Sequence, residues 1–178
     1  MSVKQISTKL IYANQWLRVR EDQVERDDGS RGIYSVVERE DYVVLAPYHN
    51  GCITLVEQYR YPIGQRIWEM PMGCFEPDRH QDIHAAAVAE LREETGWVAK
   101  NLQSIGEIFQ GPGYCTQKGH VFFATNLTAV GVARDHGEMD MVAKDFTIAE
   151  IERMIIENRI RCTSTVAAFG MLRLRKLI

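Results

Sequence analysis

The sequence predicts a layered domain of the α+β or α/β class. Strand-like segments lie on both sides of one Ala-rich helical segment at residues 83–94, and two more helical segments follow the last strand. Such an order of elements is typical of a sheet packed against helices. A chain of 178 residues with no evident linker is predicted to form a single domain over residues 1–178.

The N-terminal segments have strand character. Residues 8–12 and 17–25 carry β-forming residues, and residues 33–37 form a further apolar run after a turn that contains Gly29. Residues 17–38 are therefore predicted to form a β-hairpin. Because no linker follows, residues 1–40 are interpreted as an N-terminal antiparallel β extension of the same domain.

A second hairpin is predicted around His49, Asn50 and Gly51. The Asn-Gly pair is the strongest short-range hairpin signal, and apolar runs at residues 42–46 and 53–59 flank it. The core candidates of its second strand are Ile53, Leu55 and Val56.

The central helix is predicted over residues 83–94. Asp82 is one candidate for its N-cap, and Asp78 with Gln81 offers a competing capping box. Gly96 supplies a stop signal. The residues predicted to face the sheet are Ile83, Ala87, Val88 and Leu91.

The last third of the chain alternates strands and helices. Strands are predicted at residues 105–109, 120–124 and 141–146, and His120 is interpreted as a strand residue rather than a ligand. Thr147 is predicted to cap a helix that ends near Glu157. A final helix is predicted over residues 163–176, with the packing candidates Val166, Phe169, Leu172 and Leu174.

Composition argues against several classes of partner. A net charge of −3 argues against nucleic-acid binding, and no apolar run is long enough to span a bilayer. The first ten residues contain no apolar signal region. The four cysteines form no CxxC pair and are interpreted as reduced thiols of a cytoplasmic protein. They are Cys52, Cys74, Cys115 and Cys162.

Three carboxylates crowd the end of the central helix. Glu90, Glu93 and Glu94 are spaced to share one helical face, where like charges repel and the helix dipole disfavours anions. A divalent ion such as Mg²⁺, which prefers oxygen ligands, would relieve this repulsion. The alternative is an ordinary solvated acidic face.

The residues around these carboxylates resemble the signature of the Nudix hydrolases. Its second half is matched by Ala89-Glu90-Leu91-Arg92-Glu93-Glu94-Thr95-Gly96-Trp97. Three features depart from the signature. Its Arg is Ala89, its first Glu falls on Gln81, and the loop after Gly73 is two residues longer. The resemblance covers residues 17–176 and implies the Nudix sandwich, in which a mixed sheet lies between helices.

Further motifs resemble the ADP-ribose pyrophosphatase branch of this family. They are Gln58-Tyr59-Arg60, Trp68-Glu69-Met70-Pro71-Met72-Gly73, and Pro112 fifteen residues beyond the signature. The resemblance implies substrate-binding roles for Arg60, Glu69 and Pro112. Arg60 would offer a planar fork to a phosphate oxygen, with a rim salt bridge as its alternative. Arg66 is a weaker candidate of the same kind, and Pro112 alone is more often only a turn residue.

The resemblance also implies a mechanism, which is hydrolysis of the diphosphate bond of ADP-ribose or a sugar nucleotide with Mg²⁺ or Mn²⁺. The implied metal ligands are Glu90, Glu94, a bridging or tuning Glu93 that is also counted as catalytic, and the backbone carbonyl of Met72. Glu138, in the polar loop at residues 133–139, is the candidate base that activates water, and Asp140 is second. A homodimer formed through the N-terminal sheet is expected.

Two alternatives follow from the departures. Ala89 cannot pair with a helix glutamate as the signature Arg does, and Gln81 supplies no charge. Arg79 would be a substitute, whereas Arg92 points to another helical face than Glu90. The chain would then be a catalytically impaired nucleotide-binding protein of the Nudix fold, or a dimeric scaffold.

Overall fold

The structure is a computed structural model that describes residues 2–74, 82–132 and 140–178. The chain divides into two compact units. The smaller comprises Met1–Asp41 and Phe109–Lys118, and the larger comprises Tyr42–Ile108 and Gly119–Ile178.

The smaller unit is built on a three-stranded antiparallel sheet in the order β1-β2-β3. Its strands are β1 (Val3–Ala13), β2 (Arg18–Arg26) and β3 (Arg31–Glu38). The predicted hairpin is confirmed, and its turn uses Gly29 with φ of +79°. β1 is longer than predicted and exposed along its whole length, with several apolar side chains. They are Val3, Ile6, Leu10, Ile11 and Tyr12.

The segment Phe109–Lys118 completes the smaller unit. The amide of Val37 donates to the carbonyl of Tyr114 at 2.7 Å, and the amide of Thr116 donates to the carbonyl of Val37 at 3.0 Å. Gly111 begins the turn, because its carbonyl accepts the amide of Tyr114 at 3.0 Å. A piece from the middle of the chain is therefore hydrogen-bonded to the N-terminal sheet.

The larger unit contains a seven-stranded mixed sheet. Its main order is β10-β5-β4-β9-β8, while β6 pairs with β5 and β7 pairs with β4. Among the described residues, β4 and β9 pair in parallel. The pairs β10–β5, β4–β5, β4–β7 and β5–β6 are antiparallel. The strands are β4 (Tyr42–His49), β5 (Cys52–Arg60), β6 (Gln65–Glu69), β7 (Met72–Cys74), β8 (Trp97–Phe109), β9 (Lys118–Ala129) and β10 (Val142–Thr147).

The β4–β5 hairpin follows the sequence prediction closely. Asn50 and Gly51 both adopt left-handed conformations, with φ of +49° and +78°, as a two-residue hairpin turn of this kind requires. Ile53, Leu55 and Val56 are all fully buried, as predicted.

Three helices accompany the sheet: α1 (Ile83–Thr95), α2 (Ile148–Ile156) and α3 (Thr163–Leu174). Asp82 caps α1 by accepting the amide of Ala85 at 2.7 Å, whereas the competing residues Asp78 and Gln81 lie outside the described residues. Thr147 and Glu150 form a capping box at the start of α2. No described helix is both long and apolar enough to cross a membrane.

The sheet separates two apolar clusters. On one face, Val43 and Leu45 of β4 pack in a cluster with Ala87 and Leu91 of α1. On the other, alternate residues of β4 join side chains from α2 and α3. They are Tyr42, Val44 and Ala46 from β4, with Ile151, Met154, Ala168, Phe169 and Leu172 from the helices. The predicted sheet between helices is thus confirmed.

Four predicted packing residues prove to be exposed. Val88 is 43% exposed, and Ile83 also faces outward, because α1 turns Ala87, Leu91 and Glu94 towards the sheet instead. Val166 is exposed on α3, and Leu174, at its last residue, is 87% exposed.

Candidate active site

The glutamates of α1 lie beside the short strand β7. Glu94 is only 1% exposed, and its Oε2 accepts the amide of Met72 at 3.0 Å. A Cβ atom added to Gly73 would lie 2.1 Å from the carboxyl carbon of Glu90. Glycine at this position therefore lets the Glu90 carboxylate lie against the strand. Glu93 is half-buried. Two of the three carboxylates predicted to bind metal thus approach the Met72–Gly73 backbone.

This donor set suits a hydrated divalent ion better than a closed protein cage. Within the described ranges, no three His, Cys, Asp or Glu side chains form a preformed metal-binding group. Mg²⁺ usually keeps several waters and takes one or two carboxylates together with substrate phosphates. Glu90 and Glu94 would satisfy that requirement. The carbonyl of Met72 stays a predicted ligand.

Arg60 and Glu69 form an ion pair at the ends of β5 and β6. Both Nε and Nη2 of Arg60 donate to Oε1 of Glu69 at 2.6 Å. Glu69 is 2% exposed, whereas the side chain of Arg60 is 38% exposed. Burial raises the pKa of Glu69 above its ordinary value, while the charge and hydrogen bonds of Arg60 act in the opposite direction. Two of the three residues predicted to bind substrate are therefore paired with each other.

Residues from the start of α3 support this pair. The Cys162 thiol acts with Arg60 to lower the pKa of Glu69 against the effect of burial, and burial raises the pKa of that thiol itself. Oγ1 of the buried Thr165 accepts the amide of Met70 at 2.9 Å. Sequence reasoning missed Cys162 and Thr165. The run Cys-Thr-Ser-Thr at a helix start was an available signal, because small polar residues there often bond to nearby backbone or side chains.

Arg66 is tied to two acidic residues. Its guanidinium donates to Oε2 of Glu57 at 3.1 Å, to Oδ2 of Asp140 at 2.6 Å and to the carbonyl of Asp140 at 2.8 Å. Asp140, the second candidate base, is thus held in an ion pair. Glu138, the first candidate, lies outside the described residues. Pro112 is exposed in a turn of the smaller unit.

The end of α1 meets the end of β9. Gly96 has φ of +72°, and its carbonyl accepts the amide of Val130 at 2.9 Å. A Cβ atom on Gly96 would lie 2.9 Å from backbone atoms of Gly131 and Val132. Residues 133–139, which include Glu138, follow directly in the chain. The helix that carries the glutamates is therefore in backbone contact with the strand end that leads to the candidate base.

Comparison with family models decides the family. Residues 39–161 match the model described as the NUDIX domain, which is well over half of the chain. The chain belongs to the Nudix family. Residues 3–37 of this Nudix protein match a second model, described as the nucleoside diphosphate sugar hydrolase N-terminal domain.

Curated relatives and a solved structure agree with this family. The Nudix chain is 32% identical over 169 residues to an ADP-ribose pyrophosphatase of Mycobacterium tuberculosis, covering 94% of this chain and 80% of the relative. It is 27% identical over 177 residues to an ADP-ribose pyrophosphatase of Bacillus subtilis, covering 98% and 95%. A crystal structure titled as an ADP compounds hydrolase superposes with a TM-score of 0.86 at 17% identity, covering 97% and 93%.

These findings confirm the predicted fold, family and enzyme class, which is a Nudix hydrolase of the ADP-ribose pyrophosphatase type. They do not assign roles to individual residues. The roles of Glu90, Glu93, Glu94, Glu138 and the substrate-binding candidates stay predictions.

Proposed function

We propose that this Nudix protein hydrolyses the diphosphate bond of ADP-ribose or a sugar nucleotide with Mg²⁺ or Mn²⁺. The observation that carries the proposal is the approach of the Glu90 and Glu94 side chains to the Met72–Gly73 backbone. Two carboxylates kept at this position, one of them almost fully buried, fit a divalent ion that also grips substrate phosphates. The names of the relatives support the choice of substrate class.

The proposed roles divide between three elements. Glu90 and Glu94 of α1 would hold the ion, together with the carbonyl of Met72 and with Glu93 as a bridging group. When bound, the ion supplies charge neutralisation of the diphosphate and a lowered pKa for a water molecule. Arg60 binds a phosphate oxygen through its guanidinium. Glu138 accepts the proton of the attacking water. The role of Pro112 in substrate binding rests on the family resemblance alone.

We also propose that the chain acts as a homodimer through residues 1–40. β1 lies at the edge of its sheet and exposes apolar side chains along its length, which is typical of a strand that pairs with another chain. Residues 1–178 are treated in this proposal as one Nudix domain, with residues 1–40 as its N-terminal β extension. The four cysteines, which all lie in the described ranges, form no disulfide, and this supports a cytoplasmic location.

The test is a metal-dependent turnover assay. AMP release from ADP-ribose, and nucleoside monophosphate release from a panel of sugar nucleotides, should require Mg²⁺ or Mn²⁺. Glu94→Gln should lower kcat/KM by about 100-fold, since a neutral amide is a poor metal ligand but keeps the acceptor for Met72. The matched control is Glu152→Gln in α2, which removes a surface carboxylate.

Thermal unfolding with added metal separates the alternatives. A ligand that binds only the native state raises the unfolding midpoint. A metal-dependent rise without turnover across the panel would favour a nucleotide-binding protein without activity. The absence of any response to metal or nucleotide would favour a dimeric scaffold.

A further inference from the structure

We infer that Glu69 is a positioning residue that fixes the guanidinium of Arg60 for a phosphate and does not itself touch the substrate. The inference rests on the proposed function of Arg60. It also includes Cys162, which is the N-cap residue of α3. This indirect role differs from the direct substrate contact that the family resemblance implies for Glu69.

The geometry of the pair gives each residue a different task. Glu69 is almost fully buried, so the substrate reaches it only through Arg60. Its Oε1 receives the Nε and Nη2 edge of Arg60, with both distances at 2.6 Å. A guanidinium has five N–H donors in a rigid plane, so fixing one edge also fixes the direction of the remaining donors. The side chain of Arg60 is 38% exposed, so part of it is accessible to a ligand.

The carboxylate is itself held by two elements. Glu69 is the last residue of β6, and the next amide, that of Met70, donates to Thr165 of α3 at 2.9 Å. The Cys162 thiol also favours the charged form of the Glu69 carboxylate. A buried carboxylate without partners is costly, and Arg60 supplies two close contacts to this one. The resulting chain of contacts runs from α3 to Arg60.

A pre-oriented Arg60 has a measurable consequence for substrate binding. Ordering a flexible arginine during binding costs conformational entropy. Because Glu69 already orders Arg60 in the free protein, less entropy is lost when the substrate binds. Removing the negative charge should therefore weaken diphosphate binding and leave the chemical step nearly unchanged. A purely structural ion pair would change folding stability without a selective change in KM.

The experiment is a double-mutant cycle on the full chain. Glu69→Gln should raise KM about tenfold and change kcat by less than about threefold. Arg60→Lys should weaken binding further, because lysine lacks the fork. The double variant should bind little worse than Arg60→Lys alone, since the Glu69 effect acts through Arg60. Glu152→Gln, which breaks a surface pair with Arg173, should leave KM unchanged.

A second pair of variants at Cys162 keeps the test decisive if Glu69→Gln does not fold. Cys162→Ser retains a hydrogen-bond donor and should keep the wild-type KM. Cys162→Ala removes the donor and should raise KM about twofold to threefold. Equal KM values for Cys162→Ser, Cys162→Ala and wild type, or an unchanged KM for folded Glu69→Gln, would overturn the inference.

Calorimetric titration with ADP and with inorganic pyrophosphate separates this inference from the proposed activity. If the wild-type protein binds ADP without hydrolysing any substrate, and Glu69→Gln weakens that binding, the positioning role stands and the hydrolase proposal fails. If turnover is present and ADP affinity does not depend on Glu69, the positioning role fails alone.

Discussion

Gly73→Ala provides a sharp test of the metal site, because it displaces a carboxylate without removing it. The new methyl group would lie 2.1 Å from Cδ and Oε1 of Glu90 and 2.4 Å from its Oε2. Ordinary contact begins near 3.4 Å, so the carboxylate must retreat by about 1.3 Å. A displacement of about 1 Å at a catalytic group costs on the order of 100-fold in rate, or about 2.7 kcal/mol.

Folding stability should respond much less than activity. The displaced atoms are the far end of a flexible side chain, and Gly73 does not require a left-handed conformation. Alanine in a strand is favoured over glycine by roughly 0.5–1 kcal/mol, which offsets part of the crowding. We expect the free energy of unfolding to change by less than about 1 kcal/mol.

The assay is the initial rate of AMP release as a function of Mg²⁺ concentration, paired with urea unfolding of the same preparation. The matched control is Gly170→Ala in α3, where the added methyl group meets nothing within 4 Å. Glu90→Gln should reproduce the loss of activity without altering β7. Wild-type rates and wild-type metal dependence in folded Gly73→Ala would show that Glu90 is not a metal ligand.

Two further predictions concern stability. Gly96→Ala should lower the free energy of unfolding by about 1–3 kcal/mol, because Gly96 has a positive φ and an added Cβ would contact the backbone of Gly131. Urea titration measures this change, and an unchanged midpoint would contradict the close approach of the two backbones. Glu69 should make the protein less stable as pH rises from 4.5 through the raised pKa of its carboxyl group, because the folded state binds this proton more tightly than the unfolded state. Unfolding titrations between about pH 4 and pH 7 should show a flatter profile for Glu69→Gln, and an identical slope would refute this assignment.

Local signals explain which elements the sequence predicts well. The Asn50-Gly51 turn and the caps at Asp82 and Thr147 depend on neighbouring backbone groups only, so the residues themselves determine them. The orientation of α1 depends on the rest of the fold. An apolar pattern places Val88 inward, whereas the structure buries Glu94, whose carboxylate accepts the amide of Met72.

The candidate site was predictable as a set of residues but not as a set of contacts. The glutamates at the end of α1 are evident from the sequence, because like charges three and four residues apart on a helix repel each other. The pairing of Arg60 with Glu69 depends on how β6 lies along β5, and the supporting Cys162 comes from a helix more than ninety residues later. Neither relation leaves a periodic signal in the sequence, since strand register and helix docking are set by tertiary packing.

The alternation of side chains along β4 limits how the family can vary in length. Because Val43 and Leu45 serve one apolar cluster while Val44 and Ala46 serve the other, a single inserted or deleted residue would exchange the two sets at once. The same change would slide β7 along its neighbour and carry the Met72 amide away from α1. A change of length is therefore expected to disturb the fold less at the tips of the hairpins than within β4.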